Sequence, residues 1–195
     1  MNYDLLQNLQ RNPFFTVGDL SELLKIKQVS ARVLCNRYVK KNIFVRLKRN
    51  MYILDQSWQN FSREDFLQAA NILQVPSYIS FMTALSFYDV TTQIQRNFFE
   101  SASLKRSVKF DIKETVFNYY KLKKLYYFNF VKKDNIFIAT KEKAFVDSIY
   151  LYSFGKYKLD ISSLDISKLD KNRLRKIVRI FPSKTRRVVN KICRI

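Results

Sequence analysis

Leu5, Leu6 and Leu9 recur at helical spacing and predict a helix over residues 2–11, which Asn12-Pro13 ends. Phe14-Phe15 suits a short strand. Thr16 stands where an N-cap belongs, with Asp19 three residues on as its capping-box partner. The helix it opens carries Val17, Leu20, Leu23 and Leu24 on one face. Ile26-Lys27 make a short turn. Over residues 28–41, Ala31, Leu34, Cys35 and Tyr38 fall at i, i+3, i+4 and i+7, which predicts an amphipathic helix closed by Asn42 in the left-handed conformation. Residues 43–47 and 51–54 then read as a hairpin whose basic tip is Lys48-Arg49-Asn50, with Asn50 where a Gly would be comfortable. Three helices followed by a two-stranded wing is the order of a winged helix-turn-helix, expected over residues 1–56. A small helical domain with an attached hairpin and no nucleic-acid partner is the plainer alternative.

The remainder, residues 62–195, reads as a mixed α/β domain with C-terminal helices, so the whole chain is expected to be α+β. Polar residues 56–60 look like a linker. Ser62 and Asp65 form a second capping box, opening a helix to about Gln74 that Pro76 breaks. Residues 77–88 read as another helix, with Ile79, Met82, Leu85 and Phe87 buried. Aromatic and β-branched stretches predict strands over 94–101, 107–112, 125–131 and 136–139. Thr140 opens a helix through Ala144, Phe145 and Ile149, and everything beyond is expected to be helical. There Leu169, Leu174, Ile177, Val178 and Phe181 form one amphipathic run, and Val188, Val189 and Ile192 another after Pro182. No internal repeat of useful period stands out.

Composition narrows the chemistry. The chain of 195 residues has 36 Lys and Arg, 16 Asp and Glu and no His. No Ser-His or Cys-His nucleophile pair is possible, and imidazole metal sites are excluded. Two glycines, Gly18 and Gly155, leave no P-loop or dinucleotide turn. Neither a cofactor nor a metal is expected, and no catalytic residue is assigned. Two cysteines, Cys35 and Cys193, lie in apolar-periodic stretches and read as small buried hydrophobes. Without a signal peptide or a membrane-length apolar run, a reducing, cytoplasmic setting is expected.

The net charge of +20 is unevenly spread: +6 over residues 1–60, +4 over 61–150 and +10 over 151–195. The two ends are therefore the candidate contacts for a polyanion. In the helix from Gln28, the residues off the apolar stripe are Gln28, Ser30, Arg32, Asn36 and Arg37, side chains able to read base edges in a major groove. The hairpin adds Arg46, Lys48 and Arg49, suited to phosphates or the minor groove. From Lys171 on, ten Lys or Arg in 25 residues meet no acid, and Arg173, Arg175, Arg186 and Arg187 are expected on an outer face that contacts DNA phosphates. Glu100 with Asp111-Ile112-Lys113 is loosely similar to the carboxylate, carboxylate-x-Lys pattern of metal-dependent nucleases. An enzyme of that class and a basic interaction module without sequence preference stay open as alternatives.

Three stretches carry a resemblance to a known family. The first is the hairpin Ile43-Phe44-Val45-Arg46-Leu47-Lys48-Arg49-Asn50-Met51-Tyr52, with Asn50 where the family shows Gly. The second, Pro76-Ser77-Tyr78-Ile79-Ser80-Phe81-Met82-Thr83-Ala84-Leu85, looks like its P-x-Y-I-S-x-x-S-A-L segment, with Thr83 for Ser. The third, Ile136-Phe137-Ile138-Ala139-Thr140-Lys141-Glu142-Lys143-Ala144-Phe145-Val146-Asp147, is similar to its strand-to-helix A-S/T-x-E-K-A-L-x-D signature, with Phe145 for Leu. Together they resemble the AbiEi-type antitoxins, the regulators of type IV abortive-infection toxin–antitoxin systems, over roughly residues 14–152. The resemblance implies a repressor of its own operon that binds inverted repeats in double-stranded operator DNA. It also implies a nucleotidyltransferase-like toxin opposed without direct binding. Glu142 and Asp147 fall within the third stretch, a place that would suit an active or binding site; the favoured reading is structural, with Thr140 capping the helix and Glu142 in its positive first turn.

Overall fold

The computed structural model describes Leu9, residues 14–93 and residues 95–195. The helix expected over 2–11 lies outside the described residues except for Leu9, as does Ile94. The chain divides into two compact units, Met1–Asp65 and Phe66–Ile195.

In the N-terminal unit, helix α1 (Val17–Leu24) starts at a complete capping box. Thr16 N–H donates to Asp19 Oδ2 at 2.6 Å, and Asp19 N–H donates to Thr16 Oγ1 at 3.2 Å. Lys25, at φ 52°, ends it, and helix α2 (Gln28–Lys40) follows at once. Asn42, at φ 54°, turns the chain into the antiparallel strands β1 (Phe44–Lys48) and β2 (Met51–Leu54). Phe15 joins them as a single bridge, exchanging hydrogen bonds of 2.9 and 2.8 Å with Tyr52. The stripes read from the sequence meet here. Val17, Leu20, Ala31, Cys35 and Tyr38 pack with Phe15, Phe44 and Tyr52, and the Phe44 ring stands edge-on to Phe15 and Tyr38. The expected linker is instead helix α3 (Asp55–Gln59). It lies against the hairpin and buries Trp58, whose ring packs on Phe61, so its polar residues are only the outer half of an amphipathic turn.

Helix α4 (Arg63–Leu73) begins at the Ser62–Asp65 capping box, with Ser62 N–H to Asp65 Oδ2 at 2.9 Å. A cis Val75–Pro76 peptide separates it from the C-terminal unit's sheet. That sheet has six strands in the order β5-β6-β4-β3-β8-β7: β3 (Ser77–Ile79), β4 (Phe98–Ser103), β5 (Val108–Ile112), β6 (Thr115–Lys121), β7 (Phe130–Lys133) and β8 (Ile136–Ala139). Pairings β3–β8 and β4–β6 are parallel and the others antiparallel. Helix α4 lies on one face, where Phe66 stacks on Phe99 and the Tyr119 hydroxyl donates to the Ala70 carbonyl. Helices α5 (Phe81–Phe87) and α6 (Lys141–Ser153) cover the other, and α6 in turn packs on α7 (Lys171–Val178) and α8 (Ser183–Cys193).

In the C-terminal unit four further elements differ from the sequence expectation. Residues 77–79 are a central strand rather than the start of a helix. Buried on both faces, that strand shows no alternation that would betray it. Strand β6 was not anticipated. The stretch 125–131 is a 3₁₀ turn (Lys124–Tyr126) followed by β7. Residues 155–170 are not helical: they hold two 3₁₀ turns, at Ile161–Ser163 and Ile166–Lys168. Those turns expose a short repeat that the sequence reading passed over, Leu159-Asp160-Ile161-Ser162, Leu164-Asp165-Ile166-Ser167, Leu169-Asp170. Each Asp accepts the N–H two residues on, from Ser162, Ser167 and Asn172, and Leu164 and Leu169 are buried. The mixed α+β class stands.

Candidate functional sites: a cationic surface and a buried polar centre

Because Ala31, Cys35 and Tyr38 anchor α2 in the core, the opposite side of the helix is open. Gln28, Ser30, Arg32, Asn36 and Arg37 are all exposed on it. Val29 and Val33 lie there too, 73% and 63% exposed, and the sequence reading missed them. Their signal was available: they stand four apart, off the buried stripe, on the face that carries Arg32 and Asn36. Apolar contacts of this size suit a thymine methyl.

Arg32 and Asn36 share a concavity of about 220 Å³ with Arg46 of β1, Arg49 and Asn50 of the hairpin tip, Tyr52 and Val17. Gln28, Ser30, Arg37 and the half-buried Lys48 do not line it. No carboxylate lines it, and among the described residues Arg32, Arg46 and Arg49 have no hydrogen bond or ion pair. Asn50, at φ 58°, accepts the Val17 N–H on its side-chain oxygen at 3.0 Å, which ties the hairpin tip to the start of α1. Burial holds the Tyr52 phenol above its ordinary pKa and Cys35 adds to this, while Arg46 and Arg32 act the other way. Three guanidinium groups with no internal acceptor form a ready cradle for a phosphate-sized anion.

The C-terminal helices are amphipathic as expected. Leu174, Ile177, Val178, Phe181, Val189 and Cys193 are buried, while Arg173, Arg175, Arg186 and Arg187 are exposed. So is every other Lys and Arg from 171 onward. Arg175 donates to Asn172 at 3.0 Å, and Arg173 lies 3.7 Å from Asp170. Both cysteines are free and buried, and burial pushes each thiol up to about 11.

The nuclease-like trio is not assembled. Asp111 is exposed on edge strand β5 and pairs with Lys109 at 3.6 Å, whereas Glu100 is buried on β4 with β6 between them. Among the described residues no group of three metal-ligating side chains occurs. Glu100 accepts the Tyr157 hydroxyl at 2.8 Å and the Met82 N–H at 3.1 Å, both on Oε2. Burial nonetheless pushes its carboxyl up to about 7.

A second buried polar centre lies under α6. Lys143 and Asp147, both fully buried, pair one helical turn apart. Lys143 Nζ also donates to the Tyr78 hydroxyl at 2.7 Å, and Tyr78 and Ser80 each donate to Asp147 Oδ2 at 2.9 Å. The rings of Tyr78, Phe128 and Phe181 surround the ammonium. Burial drives Lys143 below and Asp147 above their ordinary pKa values. Lys143 was missed as a core residue, because an i,i+4 Lys–Asp pair reads as a surface pair, and the Tyr78, Phe128 and Phe181 that bury it come from elsewhere in the chain. Thr140 does cap α6, accepting from the Lys143 N–H at 3.3 Å. Glu142, 1% exposed, accepts the Asp170 N–H at 3.1 Å and so holds the start of α7.

Among the described residues, no helix is long and apolar enough to cross a membrane. No protein-family model matches the chain, and no curated protein matches it.

Proposed function

We propose that this protein is a DNA-binding transcriptional repressor, the cytoplasmic antitoxin of a type IV toxin–antitoxin system, regulating its own operon without catalysis or a cofactor. On this reading the N-terminal unit is a winged helix-turn-helix. Helix α2 lies in the major groove with Arg32 and Asn36 on base edges, and Arg46, Lys48 and Arg49 take phosphates on either side. Arg173, Arg175, Arg186 and Arg187 add a second phosphate-binding face. The observation that carries the reading is the solvent-exposed α2 face beside a concavity that holds three guanidinium groups and no carboxylate.

The antitoxin assignment rests on the likeness of the hairpin, the Pro76–Leu85 segment and the Ala139–Asp147 segment to the AbiEi-type antitoxins. It brings operator DNA with inverted repeats as partner and a nucleotidyltransferase-like toxin opposed without contact. The test is direct. Duplex DNA from immediately upstream of the protein's own gene is compared with a shuffled duplex of equal composition at physiological salt. A preference of ~10³-fold or more is expected, and equal affinity for the two would refute the reading.

A further inference from the structure

A cavity of about 700 Å³ opens in the C-terminal unit, and no residue of α7 or α8 lines it. Its lining draws on distant parts of the chain: Met82 from α5, Phe98 and Glu100 from β4, Tyr120 from β6, and Lys156 and Tyr157 from the turn after α6. Gln93, Gln95, Lys158, Leu159 and Asp160 complete it. The volume is that of a site for a small organic ligand rather than for a single ion.

Three features show what such a ligand must offer. First, the Glu100 carboxyl on the wall is unevenly satisfied. Oε2 receives two good hydrogen bonds, but Oε1 has only the Tyr120 hydroxyl at a long 3.4 Å, so it can accept a donor from a ligand. The Gln95 side-chain oxygen is likewise buried without a partner among the described residues. Second, Phe98, Tyr120 and Tyr157 are half-buried and so present ring surface, suited to a flat ligand. Third, Lys156 and Lys158 are exposed cations, whereas the Asp160 carboxylate already accepts from Ser162 and Gln93. A cationic ligand would meet two lysines, and an apolar one would leave Glu100 Oε1 with only its long bond and the Gln95 oxygen with none. What fits is a planar ring with an N–H edge, joined to an anion.

One strained residue stands next to the cavity wall, beside Met82. Phe81, fully buried, sits at φ 56°, a left-handed conformation that costs a non-glycine residue free energy. That conformation starts α5 so that the Met82 N–H reaches Glu100, while the Phe81 ring packs on Tyr120 and Tyr157 at 4.8 and 5.5 Å.

We propose that this cavity is a nucleotide-binding site, in which the base lies against Phe98, Tyr120 and Tyr157, its N–H edge donates to Glu100, and its phosphate meets Lys156 and Lys158. The site is independent of the DNA-binding reading of the N-terminal unit, and nothing in that reading requires it.

Isothermal titration of the full chain at about pH 8, above the raised Glu100 value so that Oε1 is ionised and accepts, separates the possibilities. The probes are the four common ribonucleoside monophosphates, their nucleosides, and inorganic pyrophosphate. At least one monophosphate is expected to bind, more tightly than its own nucleoside and than pyrophosphate by about tenfold each, the worth of one charged hydrogen bond. Glu100→Gln, which swaps the acceptor for an amide, and the surface pair Lys156→Ala with Lys158→Ala should each weaken that nucleotide by about tenfold. Arg32→Ala should leave nucleotide binding unchanged while impairing DNA binding. The proposal is overturned by absence of heat with every nucleotide. It is equally overturned by affinities insensitive to the Glu100 and lysine changes, or by pyrophosphate binding as tightly as the nucleotide. Loss of nucleotide binding in Arg32→Ala would place the ligand in the N-terminal concavity and sink the proposal too. Circular dichroism on each variant confirms that it is folded, and the lysine pair, being exposed, provides a test that does not touch the core.

Discussion

Two clusters of cations in this chain solve opposite problems. In the N-terminal unit, Arg32, Arg46 and Arg49 converge on a concavity with no acceptor of their own among the described residues. In the C-terminal unit, Lys143 is buried with its partners complete: Asp147, the Tyr78 hydroxyl and three aromatic rings. A positive charge with its partners inside the fold serves the fold, whereas one with no internal partner is available to something outside. Net charge does not separate the two cases. Accounting for acceptors, residue by residue, does.

The sharpest way to break this comparison is to remove one member of the buried pair. Lys143→Met leaves Asp147 buried with only hydroxyl donors, and a loss of about 3–5 kcal/mol in urea unfolding is expected. The double variant Lys143→Met, Asp147→Leu removes both charges, so it should cost clearly less than the single one. A single variant within about 0.5 kcal/mol of the parent, on the scale of surface substitutions, would show that the pair is not structural and would favour a functional role for the segment.

Glu100 provides the next largest effect and sharpens the contrast by titration. Its folded pKa is raised from 4.5 to about 7, so the folded state holds a proton that the unfolded state has lost. Stability from this group is therefore fully present below the unfolded value and lost as pH rises to about 7. The shift corresponds to about 3 kcal/mol between about pH 4 and pH 8. Glu100→Gln should abolish that component, with its amide oxygen still accepting from Tyr157 and Met82. Urea midpoints of parent and variant are expected to diverge with rising pH, the variant becoming the more stable at about pH 8. Parallel curves would mean that the carboxyl is not desolvated.

These effects also mark where the sequence was readable. Thr16 with Asp19, Ser62 with Asp65, and Thr140 announced three helix starts, because capping is a local interaction between residues three apart. The α2 surface was legible as the complement of Ala31, Cys35 and Tyr38. The α7 and α8 faces were legible for the same reason. What failed was whatever depends on partners distant in the chain. Tyr78 and Ile79 are central-strand residues, but the recurrence of Ile79, Met82 and Leu85 at three-residue spacing imitated a helix. Thr115, Phe117 and Tyr119 of β6 do alternate inward, yet the apolar Val116 and Tyr120 at the intervening positions, and a polar Thr115 at a buried one, hid the period. The walls of the Glu100 cavity come from residues 82 to 160, which no local pattern joins.

On the open side of the comparison, the test is discrimination rather than stability. Arg32→Ala and Asn36→Ala should each cost ~1–3 kcal/mol of preference for the specific duplex over a shuffled one, the worth of one base contact. Lys48→Ala with Arg49→Ala should weaken both duplexes alike. Neutralising Arg173, Arg175, Arg186 and Arg187 should leave the preference intact and flatten the dependence of log K on log salt, by ~0.9 for each phosphate that is no longer neutralised. If the Arg32 and Asn36 variants weakened specific and shuffled binding equally, α2 would be a phosphate-binding element and not the reading helix.

The smallest effect concerns Asn50, where the family resembled has Gly. A glycine would meet the left-handed φ of 58° without strain, yet Asn also holds the Val17 N–H at 3.0 Å, which Gly cannot do. The two contributions oppose each other, so Asn50→Gly is expected to cost about 1 kcal/mol or less, one side-chain hydrogen bond less the relieved strain. Asn50→Ala loses the bond and keeps the strain, and should cost more than Gly by about 1 kcal/mol. Urea unfolding orders the three. If Ala matched Gly, the tip would have relaxed out of the left-handed conformation, and Arg49 beside it would no longer be held over the concavity. A parallel loss of DNA affinity in Asn50→Ala, absent in Asn50→Gly, would show that the conformation of the tip, rather than the asparagine side chain, sets the position of the hairpin cations.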